Sequence, residues 1–329
     1  MEKILLEPRF CEPAGLEILY FFNEKGKKVR YARLGCPAPV GVVVYHAGLG
    51  QPLEADYENM RTFRDIGLIT YTLERYGENG SDRMYSGADR QKPPALPARY
   101  FAEDLVYFIA NHVETGGLPT YFVGSCYGCL VGLTSSFLND SIFKKLILAA
   151  PMFGSYFFEK HGGIYQLAAL ELNPEQERQY WGKARDWTWP LAQKILRDDP
   201  TSSDAVRGTL IHLWRKKDPR LRIGGFTHGR IKYTAQSLVE IFQPGALEKI
   251  QTPVVIISAE LDTHNVTARH IEVAKRLPNS VFYQIKGARH GLFRESDTYR
   301  DQVFEIIKAC LYTRRKVVYG KQIPGLFTG

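Results

Sequence analysis

The chain has 329 residues, 44% of them hydrophobic and 12% aromatic, enough for one large α/β domain carrying an insertion or for two domains. Its formal net charge of +8 suits an anionic lipid surface, a phosphate-bearing carrier or nucleic acid, but no nucleic-acid-binding motif accompanies that charge. No run approaches the roughly 20 apolar residues of a membrane span, and five scattered cysteines (Cys11, Cys36, Cys126, Cys129, Cys310) fit reduced cytoplasmic thiols better than a disulfide framework.

Met1 to Arg9 is too acidic, and its apolar part too short, for a secretory signal. Glu17–Phe22 and Val29–Leu34, joined by a turn containing Gly26, predict an antiparallel hairpin. Strand-length apolar runs then recur: Gly41–Tyr45, Leu68–Leu73, Tyr121–Gly124, Leu146–Ala149, Val254–Ser258 and Val281–Ile285. Their hydrophobicity is continuous rather than alternating, as in strands buried on both faces of a parallel sheet. Amphipathic segments such as Tyr100–His112 and Val266–Arg276 lie between them, so a doubly wound α/β sheet is expected. The rhythm breaks between about Met152 and Ile250, a stretch rich in tryptophan, tyrosine and arginine. This stretch reads as a helical cap over the C-terminal edge of the sheet, where open parallel sheets bind ligands. Its basic cluster Arg215 to Arg222 and the tail Thr313-Arg314-Arg315-Lys316 read as solvated surface.

The chemistry centres on Gly124-Ser125-Cys126-Tyr127-Gly128. An apolar strand precedes it and a helical pattern follows, which is the G-x-Nu-x-G spacing of a nucleophile elbow. A thiol at a helix N-terminus has its thiolate stabilised by free N–H groups and the helix dipole. The competing readings are a buried structural cysteine and, because Cys126 and Cys129 form C-x-x-C, redox or metal chemistry. A redox motif belongs after the first strand of a short βαβ unit, and a zinc site wants two more ligands at close spacing, for which this sequence has no second cysteine pair.

An elbow predicts its partners in chain order: nucleophile, acid, histidine. Asp262, just past Val254–Ser258, is the expected acid, with Glu260 a weaker candidate. His290, in Lys286-Gly287-Ala288-Arg289-His290 after the last strand, is the expected base. The oxyanion hole is expected from the N–H of Tyr127 and of Gly48, with Ala47 or Leu49 as alternatives in the loop His46-Ala47-Gly48-Leu49-Gly50. His46 itself is expected to fix that loop.

Four further stretches carry a resemblance: Glu74-Arg75-Tyr76-Gly77-Glu78-Asn79-Gly80-Ser81, Ala150-Pro151-Met152-Phe153-Gly154, Arg222 to Thr227, and Ile285 to His290. With the elbow, they make the chain resemble an α/β-hydrolase of the lysophospholipase and monoacylglycerol lipase branch, from about Val40 to Leu311. The resemblance implies a core in two parts, 1–151 and 251–329, around a cap at 152–250. It also implies a cap-gated pocket for acyl chains and a Ser-His-Asp triad without metal or organic cofactor; the expected partners are a small or carrier-bound acyl substrate and, from the net charge, transient contact with an anionic lipid surface or acyl carrier. Two departures stand out: Cys126 replaces the usual nucleophilic serine, and Glu74 replaces an aspartate. Polyester synthases and dienelactone hydrolases resemble this chain in carrying cysteine there. The reading is therefore an acyl hydrolase or acyltransferase acting on an ester or thioester through a thioester acyl-enzyme. The alternative is a non-catalytic binder of acyl or hydrophobic ligands on the same scaffold.

Overall fold

The protein is described by a computed structural model covering residues 3–4, 7–198 and 201–312. The basic tail Thr313-Arg314-Arg315-Lys316, with Met1, Glu2, Leu5 and Leu6 of the N-terminal stretch, lies outside the described residues. Eight strands form one sheet: β1 (Leu16–Phe22), β2 (Lys28–Leu34), β3 (Gly41–His46), β4 (Leu68–Leu73), β5 (Thr120–Ser125), β6 (Lys145–Ala149), β7 (Val254–Ala259) and β8 (Ser280–Ile285). Their order is β1-β2-β4-β3-β5-β6-β7-β8. β1–β2 and β2–β4 pair antiparallel, and every other pair is parallel. Each predicted strand is present, and β3 and β7 are buried at every position. That explains their apolar runs, Val42–Tyr45 and Val254–Ile257: helices cover both faces.

The helices are α1 (Tyr57–Asp65), α2 (Ala98–His112), α3 (Tyr127–Ser136), α4 (Tyr156–Lys160), α5 (Gly163–Ala168), α6 (Pro174–Arg178), α7 (Trp189–Asp198), α8 (Ala205–Lys217), α9 (His228–Ile241), α10 (Thr267–Arg276) and α11 (Asp297–Tyr312). Between β6 and β7 the described chain forms α4 to α9 and no strand. Local chemistry starts these helices. Asn173 closes a capping box with Gln176 on α6, Asp204 accepts from the N–H groups of Val206 and Arg207 on α8, and Thr227 accepts from that of Arg230 on α9. α9 then buries Ile231, Ala235, Leu238 and Ile241 in the core that also takes Phe101 and Leu105 of α2.

The chain runs from β3 outward to β4 on one side and returns to β5 on the other. The loops leaving β3 and β5 therefore diverge at a topological switch point, where a parallel sheet opens a crevice at its strand C-termini. Cys126 and Gly48 both lie there. No helix of the described residues is long and apolar enough to cross a membrane.

Candidate active site

β5 ends at Ser125 and α3 begins at Tyr127, so Cys126 is the single residue between strand and helix. It holds φ 51° and ψ −116°, a conformation that L side chains rarely adopt. Close approach around it explains the glycines. A Cβ on Gly128 would collide with the His46 carbonyl oxygen and lie 2.8 Å from that of Ala47; one on Gly124 would lie 2.9 Å from Cys129 Cα. The strained turn is pinned by Cys126 N–H to the Ala149 carbonyl (3.1 Å) and by Met152 N–H to the Cys126 carbonyl (3.0 Å).

Asp262 and His290 arrive from the loops after β7 and β8. His290 Nδ1 lies 2.8 Å from Asp262 Oδ2, while Asp262 Oδ1 accepts from the N–H groups of His264 (2.8 Å) and Asn265 (2.9 Å). His290 and the N–H of Tyr127 are the groups that stabilise charge on the Cys126 sulfur. Burial pushes the half-buried thiol up, but the charge and hydrogen bond of His290, helped by the Tyr127 N–H, hold it below its ordinary value. Burial also opposes charge on His290, and the thiolate and the Asp262 carboxylate together raise the imidazole above its ordinary value. For Asp262, burial acts upward and the His290 charge outweighs it, so the carboxyl stays below its usual range. The arrangement favours thiolate, imidazolium and carboxylate in a row.

The loop after β3 is clamped from behind. Arg75 donates to the carbonyls of Ala47 (2.8 Å) and Gly48 (2.6 Å) and to His46 Nδ1 (3.0 Å), and Glu78 holds Arg75 through two bonds of 3.0 and 2.6 Å. In a trans peptide the C=O and the following N–H point opposite ways. With the two carbonyls turned to Arg75, the N–H groups of Gly48 and Leu49 are turned away from it. A Cβ on Gly48 would lie 3.3 Å from Cys126 Cβ, so this loop borders the thiol. His46 is buried, held neutral by burial and by Arg75, and its ring meets the same guanidinium that holds the loop carbonyls.

Glu260 is exposed and accepts from the Gly287 N–H (2.8 Å), so it shapes the His290 loop instead of meeting the imidazole. Glu74 bonds the N–H groups of Leu53 (3.2 Å) and Gly80 (2.9 Å) and pairs with Arg30, tying neighbouring loops together. Cys129 is fully buried, its thiol points at the Ala149 carbonyl (3.4 Å), and burial raises it well above its ordinary value. All five cysteines are free thiols. Asp262, His264 and His290 are a group among the described residues whose donor atoms, within 4.8 Å of one another, are spaced to hold a metal ion, although both Asp262 oxygens are already engaged.

One expectation is corrected. Arg215, read as solvated surface, is buried and donates from Nη2 to the Gly50 carbonyl (2.7 Å), because α8 turns that side inward over the β3 loop; Lys217 and Arg220 are exposed. Other residues carried no recognisable signal. Asn265 donates to the Ala150 carbonyl (2.9 Å) and comes within 3.9 Å of the Cys126 sulfur. Arg230, on α9, stacks 4.2 Å over the Tyr127 ring and pairs with Glu78 at 3.5 Å. A shallow depression lined by Pro119, Ile142 and Pro253 opens at the opposite ends of the strands and holds no histidine or cysteine.

No protein-family model matches the chain, and none of the curated proteins does. Solved structures do. A soluble variant of monoglyceride lipase from Saccharomyces cerevisiae, in complex with a substrate analogue, aligns over 90% of this chain and 94% of its own, at 16% identity and TM-score 0.66. A carboxylesterase from Bacillus subtilis aligns over 94% and 95%, at 17% identity and TM-score 0.62. A thermophilic esterase from Thermogutta terrifontis aligns over 90% and 100%, at 13% identity and TM-score 0.59. At these identities the likeness concerns architecture: the chain has the α/β-hydrolase fold.

Proposed function

We propose that this protein is an acyl-group hydrolase or acyltransferase that opens an ester or thioester through Cys126, His290 and Asp262. The observation that carries the reading is a thiol at positive φ whose charge is set by a histidine held on a buried carboxylate. The Cys126 thiolate attacks the carbonyl carbon, and a C–S bond forms as the carbonyl π pair moves onto oxygen. The N–H groups of Tyr127 and Gly48 receive that oxyanion; losing one such donor costs roughly 3–4 kcal/mol. The intermediate collapses, the bond to the leaving group breaks, and His290 gives its proton to the departing oxygen or sulfur. His290, now neutral, takes a proton from water or from an acceptor alcohol, amine or thiol, which attacks the thioester and restores the thiolate. Asp262 keeps the ring oriented throughout. No metal or organic cofactor enters this scheme.

Lipase and esterase chemistry on the same fold favours ester hydrolysis as the general class. A cysteine adds transfer, because a thiolate is a good leaving group from its own acyl-enzyme. Residues 152–250 serve as the cap over the crevice, and 1–151 with 251–329 as the core that carries the triad. Steady-state assays with a p-nitrophenyl ester and an acyl thioester, with and without an added thiol acceptor, test this. Cys126→Ala and His290→Ala should each lose about 10³-fold or more, with losses that do not add in the double variant. Full activity in Cys126→Ala would remove the mechanism.

A further inference from the structure

Arg83, in the loop after β4, has all three guanidinium nitrogens buried, and among the described residues none has a hydrogen-bond partner. Arg215 has its Nε buried without a partner and spends Nη2 on the Gly50 carbonyl. The two guanidinium groups act on each other electrostatically, and Arg294, four residues past His290, acts on both Arg215 and Cys126. The nearby carboxylates are spoken for. Glu78 is taken by Arg75, Arg230 and the Gly50 N–H, and both oxygens of Asp56 are taken by Gln51, with Asn59 also on Oδ1. Among the described residues no carboxylate lies within 4 Å of Arg83, Arg215 or Arg294. Burial pulls Arg83 and Arg215 down to about 10, which leaves both charged at neutral pH. Buried cations are ordinarily paired, and a buried unpaired donor calls for a partner from outside the chain.

The place of these groups says what that partner is. Arg215 is anchored on Gly50, two residues from Gly48, which borders the thiol; two residues of chain span at most about 7 Å. Arg83 interacts with Tyr180, in the helical insertion, so it stands where the insertion meets the core. A guanidinium fork bonds a planar or tetrahedral oxyanion through two N–H groups at once and more strongly than it bonds a neutral carbonyl. We propose that Arg83 and Arg215, supported by Arg294, receive a carboxylate or phosphate carried by the substrate close to its scissile carbonyl, so that the acyl donor is acidic. This rests on the acyl-transfer reading of Cys126.

The experiment compares kcat/KM for S-phenyl glutaryl thioester, the same thioester with its distal carboxylate methylated, and an analogue ending in a phosphate monoester, in wild type, Arg83→Gln and Arg215→Gln. Wild type should prefer the charged donors by at least about tenfold, and both variants should bring the charged-to-neutral ratio close to one. Preference between carboxylate and phosphate identifies the natural anion. A wild-type ratio near one, or a ratio that Arg83→Gln leaves unmoved, overturns the proposal. A second arm titrates Cys126→Ala, which cannot turn over, with glutarate and with inorganic phosphate by calorimetry. Saturable binding of either, abolished by adding Arg83→Gln, upholds the anion site even where no donor acylates wild type, an outcome that would remove the acyl-transfer reading alone. Because Arg83 bonds nothing in the described chain, Arg83→Met should fold and melt no lower than wild type; a marked fall in Tm would assign it a structural role instead.

Discussion

Cys126 and Cys129 sit one helical turn apart, and opposite environments separate them. Burial acts upward on both thiols, but only Cys126 has the charge of His290 beside its sulfur, while Cys129 faces the Ala149 carbonyl. Limiting iodoacetamide at pH 7 should therefore label Cys126 at least about tenfold faster than Cys129, read by peptide mapping. Faster labelling of Cys129 would contradict the assignment. The pH dependence has a definite sign. Thiolate appears as pH rises through the thiol's pKa, so the Cys126 labelling rate should turn on below the ~8.5 of a free thiol. In His290→Ala, burial is left without its counterweight and the same limb should move to higher pH. Cys126→Ser should keep the fold and the backbone oxyanion donors and should retain hydrolysis of a p-nitrophenyl ester. It should lose transfer to a thiol, since its acyl-enzyme is an oxygen ester with a poorer leaving group; parallel assays of the two reactions decide this.

At the scale of elements, the elbow works because α3 presses its first turn against the loop leaving β3. Gly128→Ala would drive a methyl group into the His46 carbonyl, so one of the two must move. The expected cost is about 3 kcal/mol or more, read as a lower Tm together with loss of activity. Behind the same loop, Glu78 binds Arg75, Arg230 and the Gly50 N–H while almost fully buried. Glu78→Gln leaves those arginines without their countercharge and should cost about 3–5 kcal/mol by chemical denaturation. Strand positions and the strand-to-helix turn at Cys126 were legible in the sequence, because continuous apolar runs and glycine spacing state backbone demands directly, and the expected pairing of Asp262 with His290 is present as a 2.8 Å contact. The clamp was visible only as a resemblance in Glu74 to Ser81, since the partners of Arg75 are carbonyls of a loop 27 and 28 residues away and carbonyls leave no mark on residue type. Arg215 was misjudged for a related reason: a basic run looks solvated until the face its helix presents is known.

Across the whole molecule, the helices between β6 and β7 reach the loops beside Cys126 through two arginines: Arg230 on the ring of Tyr127 and Arg215 on the carbonyl of Gly50. The chain as a whole carries a formal net charge of +8. A positive field raises the encounter rate of an anionic donor and is screened within about 10 Å at 0.1 M salt. With an acidic thioester, kcat/KM should accordingly fall as salt rises from 10 mM to 500 mM, while the methylated donor should show little change. Equal salt response of the two donors would dissociate the charge from substrate capture.

The central claim is that Cys126 carries the acyl group. Intact-protein mass spectrometry after brief exposure to acyl thioesters, followed by peptide mapping, measures this directly. The expected result is one acyl increment on the peptide containing Cys126, absent in Cys126→Ala and strongly slowed in His290→Ala. An increment on another residue, or none with any acyl donor while the Cys126 thiol remains open to alkylation, would contradict it.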